Sequence, residues 1–122
     1  MPSRERVQAF IATVEANRFV EAIEQFYTED AFMQENVSPP RHGRDTLVKG
    51  EEAILRGFKS IATMPVGSYL IDGDRVAIHW TFEFTGHDDT HFVLEEVAFQ
   101  LWRGDRIAEE RFFYDPGQRK PG

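Results

Sequence analysis

The sequence contains no cysteine, which excludes disulfides, thiolate metal sites and thiol nucleophiles. No apolar run comes near the roughly 20 residues a membrane-spanning helix needs. Cations are the minority charge: 14 Lys and Arg stand against 21 Asp and Glu, for a net charge of −7. Nucleic-acid binding draws most of its affinity from cations that neutralise phosphates, and anionic membrane surfaces select for the same sign. Neither partner is expected. Met1-Pro2-Ser3-Arg4-Glu5-Arg6 leads into no apolar segment of the signal-peptide kind, so a cytoplasmic location is expected. Histidine occurs only four times. The dense run His87-Asp88-Asp89-Thr90-His91 reads as a solvated hairpin loop, not as convergent ligands with supporting partners. Gly43, Gly50 and Gly57 lack the spacing of a phosphate loop. No metal and no cofactor are expected.

What is present is material for one core. The chain has 122 residues, 41% hydrophobic and 13% aromatic, with 11 Phe. That length suits a single domain over 1–122, with a loose polar tail over 116–122. Val7, Phe10, Ile11 and Val14 fall on one helical stripe, with Ser3 as N-cap. Asn17-Arg18 interrupts, and Phe19, Ile23, Phe26 and Tyr27 form a second stripe. Ala31 to Val37 reads as a strand. Pro39-Pro40 enforces a loop over 38–43. A third helix is expected over 45–62, with Leu47, Ile54, Phe58 and Ile61 buried. After Pro65 the period is that of strands: 66–71, then a long strand with Val76, Ile78, Trp80, Phe82 and Phe84 on one face, then 91–102 and 107–114. Asp72-Gly73-Asp74, residues 86–90 and residues 103–106 turn the chain between them. Three helices followed by a meander of four strands is an α+β layout. A long twisted sheet curls, and helices close its concave side, giving a cone with a cavity at its open end.

Alternation assigns the faces. Trp80, Phe82 and Phe84 face inward. In the next strand Val97, Phe99 and Leu101 are taken as the inward set, which carries Glu95 with them. Across the following hairpin, Glu110, Phe112 and Tyr114 then share the cavity face. Carboxyls beside aromatic walls lose hydration, which suits them to acid or base work near neutral pH. Glu95 is the leading catalytic candidate, with Tyr114 and Glu110. Glu109 competes with Glu110 for the inward slot, and a single bulge would turn either Glu outward. Trp80, Phe82, Phe99 and Phe112 are expected as walls, and Tyr27 as a rim hydroxyl. The Arg41, Arg44 pair is read as part of a solvated loop.

The segments Glu21-Ala22-Ile23…Phe26-Tyr27…Asp30-Ala31, Glu35-Asn36…Pro39-Pro40…His42-Gly43-Arg44 and Gly104-Asp105-Arg106-Ile107 resemble the nuclear transport factor 2-like superfamily, with its cystatin-like fold. Within it the chain is similar to the SnoaL-like polyketide cyclases and to ketosteroid isomerase, from about Val7 to Asp115. The resemblance implies three N-terminal helices packed on a strongly curved, mostly antiparallel sheet. It does not imply one activity, because this superfamily holds isomerases, cyclases, hydratases and non-enzymes. The positions matching the isomerase's three catalytic groups hold Asn36, Val97 and Phe10 or Ile11, so ketosteroid isomerase activity is not expected. The resemblance favours Asn36 over Glu35 in the cavity, as a ligand-orienting amide. An Asn that ends its strand by bonding its own loop is the alternative.

Two functions remain open on these grounds. One is a cofactor-independent isomerase, cyclase or hydratase acting by proton transfer on a small, mostly apolar, oxygen-bearing molecule. The other is a non-catalytic ligand-binding or dimerisation module of the same fold. The resemblance also implies a homodimer through the outer sheet face, for which Ala77, Thr81, Ala98, Gln100 and Trp102 are the expected surface.

Overall fold

The computed structural model describes residues 1–119. Helix α1 spans Arg4–Glu15, and the Ser3 hydroxyl accepts the Arg6 N–H at 3.0 Å, satisfying one of the open donors of the first turn. Val7, Phe10, Ile11 and Val14 are buried, as their spacing requires. Asn17, in the left-handed region at φ 62°, reverses the chain into α2, Phe19–Phe26. Strand β1 starts earlier than expected, at Tyr27–Glu35, so Tyr27 belongs to the sheet and not to the helix stripe. Residues 41–42 form a short strand, β2, inside the expected loop.

Helix α3 spans Arg44–Arg56 and stops at Gly57, whose N–H closes the last turn. The expected continuation to residue 62 fails there. Residues Ser60–Thr63 instead form β3, and Phe58 and Ile61 reach the core from outside the helix. Helical spacing of apolar residues continued past a residue with poor helix propensity. Strand β4 covers Tyr69–Asp72, β5 Arg75–Thr85, β6 His91–Arg103 and β7 Arg106–Phe113. Residues Pro116–Arg119, expected as part of a loose tail, form a short 3-10 helix. The rest of that tail lies outside the described residues.

The sheet runs β2-β1-β7-β6-β5-β3, and β4 also pairs with β5. Only β1 and β7 are parallel; the other pairs are antiparallel. The helices cover one face. There Phe10 meets Trp80, Trp102, Phe26 and Tyr27 edge to face at 5.4–6.2 Å.

The β5–β6 register corrects the expected facing of β6. Trp80 lies opposite Glu96, Phe82 opposite Leu94 and Ile78 opposite Ala98. Directly opposed residues share a face, so the even-numbered residues of β6 point inward. Leu94, Ala98, Gln100 and Trp102 are buried, while Val93, Val97 and Phe99 are 40–44% exposed on the outer face. Both faces of β6 are apolar, so hydrophobicity alone chose the wrong one; hairpin register decides it. Of the expected outer surface, Ala77 and Thr81 stay outside, but Ala98, Gln100 and Trp102 are core. Between β6 and β7 the register slips: Leu101 pairs with Glu109 but Trp102 pairs with Ile107, leaving one extra residue in β7.

Two side chains test this facing. Ile78 is fully buried and Val93 is 44% exposed. Ile78→Ala should cost about 2–5 kcal/mol in denaturant unfolding, and Val93→Ala under about 1 kcal/mol.

Candidate functional site

The concave face of the sheet and the three helices enclose a cavity of about 150 Å³. Its walls are apolar and aromatic: Phe10 from α1, Phe19 from α2, Trp80, Phe82 and Phe84 from β5, and Phe112 from β7. Trp80 and Phe82 stack, with ring centres 5.7 Å apart. Into this lining project four carboxyls, Glu35, Glu51, Glu96 and Glu110, two phenols, Tyr27 and Tyr114, and two guanidiniums, Arg41 and Arg119.

Glu110 is the deepest carboxyl, 1% exposed. The Tyr27 hydroxyl donates to its Oε1. Gln100 Nε2 donates to its Oε2 at 2.6 Å, and Trp102 Nε1 donates to Gln100 Oε1 at 2.9 Å. A polar chain through β1, β7 and β6 is thereby satisfied inside the core, where an unpaired group would be costly. Burial pushes the Glu110 carboxyl up to about 7, and the donors from Gln100 and Tyr27 pull the other way. Burial, reinforced by Glu110, holds the Tyr27 phenol well above its ordinary value.

Glu96 stands one ladder position beyond the end of the β6–β7 pairing and opposite Trp80. Burial pushes it up to about 8; Glu110, Glu35 and Glu51 add to the rise, and Arg119 opposes it. Glu51, on α3, is also raised by burial, with Arg41 pulling it back. Near the mouth, Arg41 Nη2 lies 3.1 Å from Glu35 Oε2. The Tyr114 hydroxyl donates to Glu35 Oε1 at 3.2 Å. Burial and then Glu35 raise the Tyr114 phenol. Chemically, the site is an aromatic pocket about one ring wide, in which the Glu96 and Glu110 carboxyls change charge near neutral pH.

Of the expected site residues, the structure brings Glu110, Tyr114, Tyr27, Trp80, Phe82 and Phe112 together around the cavity, but the Tyr27 hydroxyl, expected at the rim, is buried at the deep end on Glu110. Three it does not. Glu95 points out of the sheet, where its 61% exposed carboxylate lies 2.6 Å from His79 Nε2. Phe99 is 42% exposed on the same outer face, under the Arg75 guanidinium. Both follow from the inverted facing of β6. Asn36 sits in the left-handed region at φ 51° and spends its amide on the backbone: Oδ1 accepts the Tyr114 N–H at 3.0 Å. It ends its strand, though its side chain bonds the residue after β7 and not its own loop, and Glu35 takes the inward place. Val97, matched to an oxyanion-donor position, also faces outward.

Glu96, Glu51 and Arg119 were not singled out from the sequence. Glu51 carried a signal, since it follows Leu47 by four residues and precedes Ile54 by three, on the buried stripe of α3. Glu96 was masked by its neighbour, because either of two adjacent glutamates suits an alternating strand. Among the described residues, no group of three or more His, Asp or Glu is arranged to hold a metal, and no helix is long and apolar enough to cross a membrane.

Helices covering one face of a curved, mostly antiparallel sheet define the cystatin-like α+β class. The model of the SnoaL-like domain family matches residues 7–110, and the chain belongs to that family. No protein of curated function matches it. Solved structures share the fold at low identity. A protein of Mesorhizobium loti, provisionally described as a SnoaL-like polyketide cyclase, has 20% identity and a TM-score of 0.76 over 93% of this chain and 100% of its own. A Xanthomonas campestris protein of unknown function with a cystatin-like fold has 16% identity and a TM-score of 0.81, over 97% and 95%. TerC, co-crystallised with polyporic acid, has 17% identity and a TM-score of 0.76, over 91% and 89%.

The raised carboxyls fix the sign of a pH effect. Between the ordinary glutamate value of 4.5 and the folded values of about 7 and about 8, the folded protein keeps protons that the unfolded chain has released. Stability therefore falls as pH climbs through that window, and the loss is complete above it. Urea unfolding at pH 5 and pH 9 should show the protein weaker at pH 9 by at least about 2 kcal/mol. The double variant Glu96→Gln, Glu110→Gln should lose most of that difference.

Proposed function

We propose that this protein is a cofactor-independent acid–base enzyme of isomerase, cyclase or hydratase type, acting on a small, mostly apolar, oxygen-bearing molecule. One observation carries the reading: the Glu96 carboxyl lines an aromatic cavity opposite Trp80, where burial pushes it up to about 8, which suits a group that both gives and takes a proton at neutral pH. Glu110 has both oxygens engaged by Tyr27 and Gln100. Its part is to hold that phenol in place and to load the pocket with a second titratable charge. Tyr114 at the mouth donates to Glu35, and its oxygen accepts from a hydroxyl of the ligand and orients it. The volume of about 150 Å³ matches a cavity that accommodates one benzene-sized ring, so the reacting part of the ligand is a single ring or smaller. Trp80, Phe82 and Phe112 supply its walls.

Base-promoted ring opening of nitrobenzisoxazole reports a desolvated carboxylate without knowledge of the natural substrate. The protein should open it faster than acetate of equal concentration. Its rate should rise with pH to a midpoint near 8, because the ionised form is the base. Glu96→Gln should lower the rate at least about a hundredfold. A wild-type rate no better than acetate's would leave the alternative, a binding module of the same fold.

We also propose a two-fold homodimer through the outer sheet face. Val93, Val97, Phe99 and Phe113 lie there, 40–44% exposed in the single chain. Arg75 and Arg111 lie over Phe99 and Phe113, at 5.4 and 4.5 Å from the ring centres. Exposed aromatics grouped with arginine favour association. Light scattering at micromolar concentration should give twice the chain mass, and Phe99→Glu should give the single-chain mass with the fold intact.

A further inference from the structure

Strand β6 outruns its neighbour. The last β6–β7 pair is Val97 with Phe113, so the residues before Val97 have no β7 partner on that edge. At Glu95 the gap is filled by one side chain. Gln118 Oε1 accepts the Glu95 N–H at 3.1 Å, and Gln118 Nε2 donates to the Glu95 carbonyl at 3.0 Å. A primary amide presents the same donor and acceptor as a peptide group, so Gln118 stands in for the missing strand residue. The turn behind it is fixed internally: the Asp115 carboxylate accepts the Gly117 N–H at 2.8 Å, and the Asp115 carbonyl accepts the Gln118 N–H at 3.1 Å. The next residue, Arg119, lines the cavity.

We propose that Gln118 is a positioning residue: by completing the edge of β6 at Glu95, it holds the turn over the cavity mouth and sets the Arg119 guanidinium against Glu96 and Tyr114. The proposal rests on the reading of Glu96 as the acid–base group and assigns its regulation to a residue outside the sheet. The charged and titratable groups around Glu96 are Glu110 and Tyr114 of the β7 end, Glu35 and Tyr27 of β1, Glu51 of α3, Arg41 of β2 and Arg119 of the turn. The linings from α1, α2 and β5 are apolar. In that set Arg119 is the cation that opposes the rise at Glu96, and it pulls the Tyr114 phenol down as well. Moving it away leaves Glu96 among carboxylates and raises its proton affinity further.

The test exploits a substitution that changes no charge. The Glu96 carboxyl is followed by carbon-13 NMR across pH, its signal assigned by its loss in Glu96→Gln, with no substrate present. The wild-type midpoint should lie near 8. Gln118→Ala should raise it by about half a unit or more, a threefold change in the ionisation constant. Arg119→Gln should raise it at least as much. The double variant should match Arg119→Gln alone, because the latch acts only through the cation. Hydrogen exchange at the Glu95 amide should quicken at least about tenfold in Gln118→Ala, while the buried Ile78 amide stays unchanged and confirms the fold. A Glu95 amide that opens with no movement of the Glu96 midpoint would overturn the proposal, as would a Glu95 amide that does not open. Neither result depends on whether nitrobenzisoxazole is turned over, so failure here is distinct from failure of the proposed activity.

Discussion

The antiparallel register that sets Trp80 opposite Glu96 is the constraint on which the rest depends. A strand offers its residues to two sides with a period of two, so one fixed pair assigns every other residue of the hairpin. From that pair follow the burial of Gln100 and Trp102, the carboxyl in the cavity, and the apolar outer surface of Val93, Val97 and Phe99. The next ladder inherits the choice: Gln100 lies opposite Glu110, which brings a second carboxyl to the same side and into reach of Tyr27. Site and outer face are thus two products of a single alignment.

The charge of the site follows from its depth. Four glutamates share a cavity with two arginines, and one of those arginines is engaged by Glu35. Glu51, Glu96 and Glu110 resist ionisation, first through lost hydration and then through their acidic neighbours. The fold carries that strain because the deepest member is fully hydrogen-bonded, by a phenol on one oxygen and an amide on the other. Removing either donor would leave a buried acceptor unpaired, which is costlier than never having built the pair.

Much of the fold was legible in the sequence because amphipathic helices and the β5 strand write their periods plainly. Val7, Phe10, Ile11 and Val14 gave α1, Ser3 its cap, and Val76 to Phe84 the long strand. The family resemblance pointed to the same architecture. Legibility ended where two readings had equal hydrophobic support. Val97, Phe99 and Leu101 are as apolar as Leu94, Ala98 and Trp102, so alternation could not say which set was core. Glu95 was chosen over Glu96 for that reason alone. The strand Ser60–Thr63 was absorbed into a helix because Phe58 and Ile61 continue its spacing. Asn36 was drawn inward by resemblance, although its left-handed backbone and its bond to the Tyr114 N–H are what a strand-ending Asn does. Glu110 reaches its expected inward place because two errors cancel: the inverted facing of β6 and a one-residue slip between β6 and β7 that alternation does not foresee.

That slip has its own consequence. Ile107 and Glu110 are three apart, an odd separation that a regular strand would send to opposite sides, yet both are buried, at 0% and 1% exposure. The additional residue between Trp102's partner and Leu101's partner resets the count. It works as a phase shifter in the chain: upstream of it β7 is in step with a sealed hydrophobic end, and downstream it is in step with the open, acidic end. The two ends of the cavity therefore belong to different reading frames of one strand, and a single-residue deletion there would force a choice between a closed base and an acidic mouth.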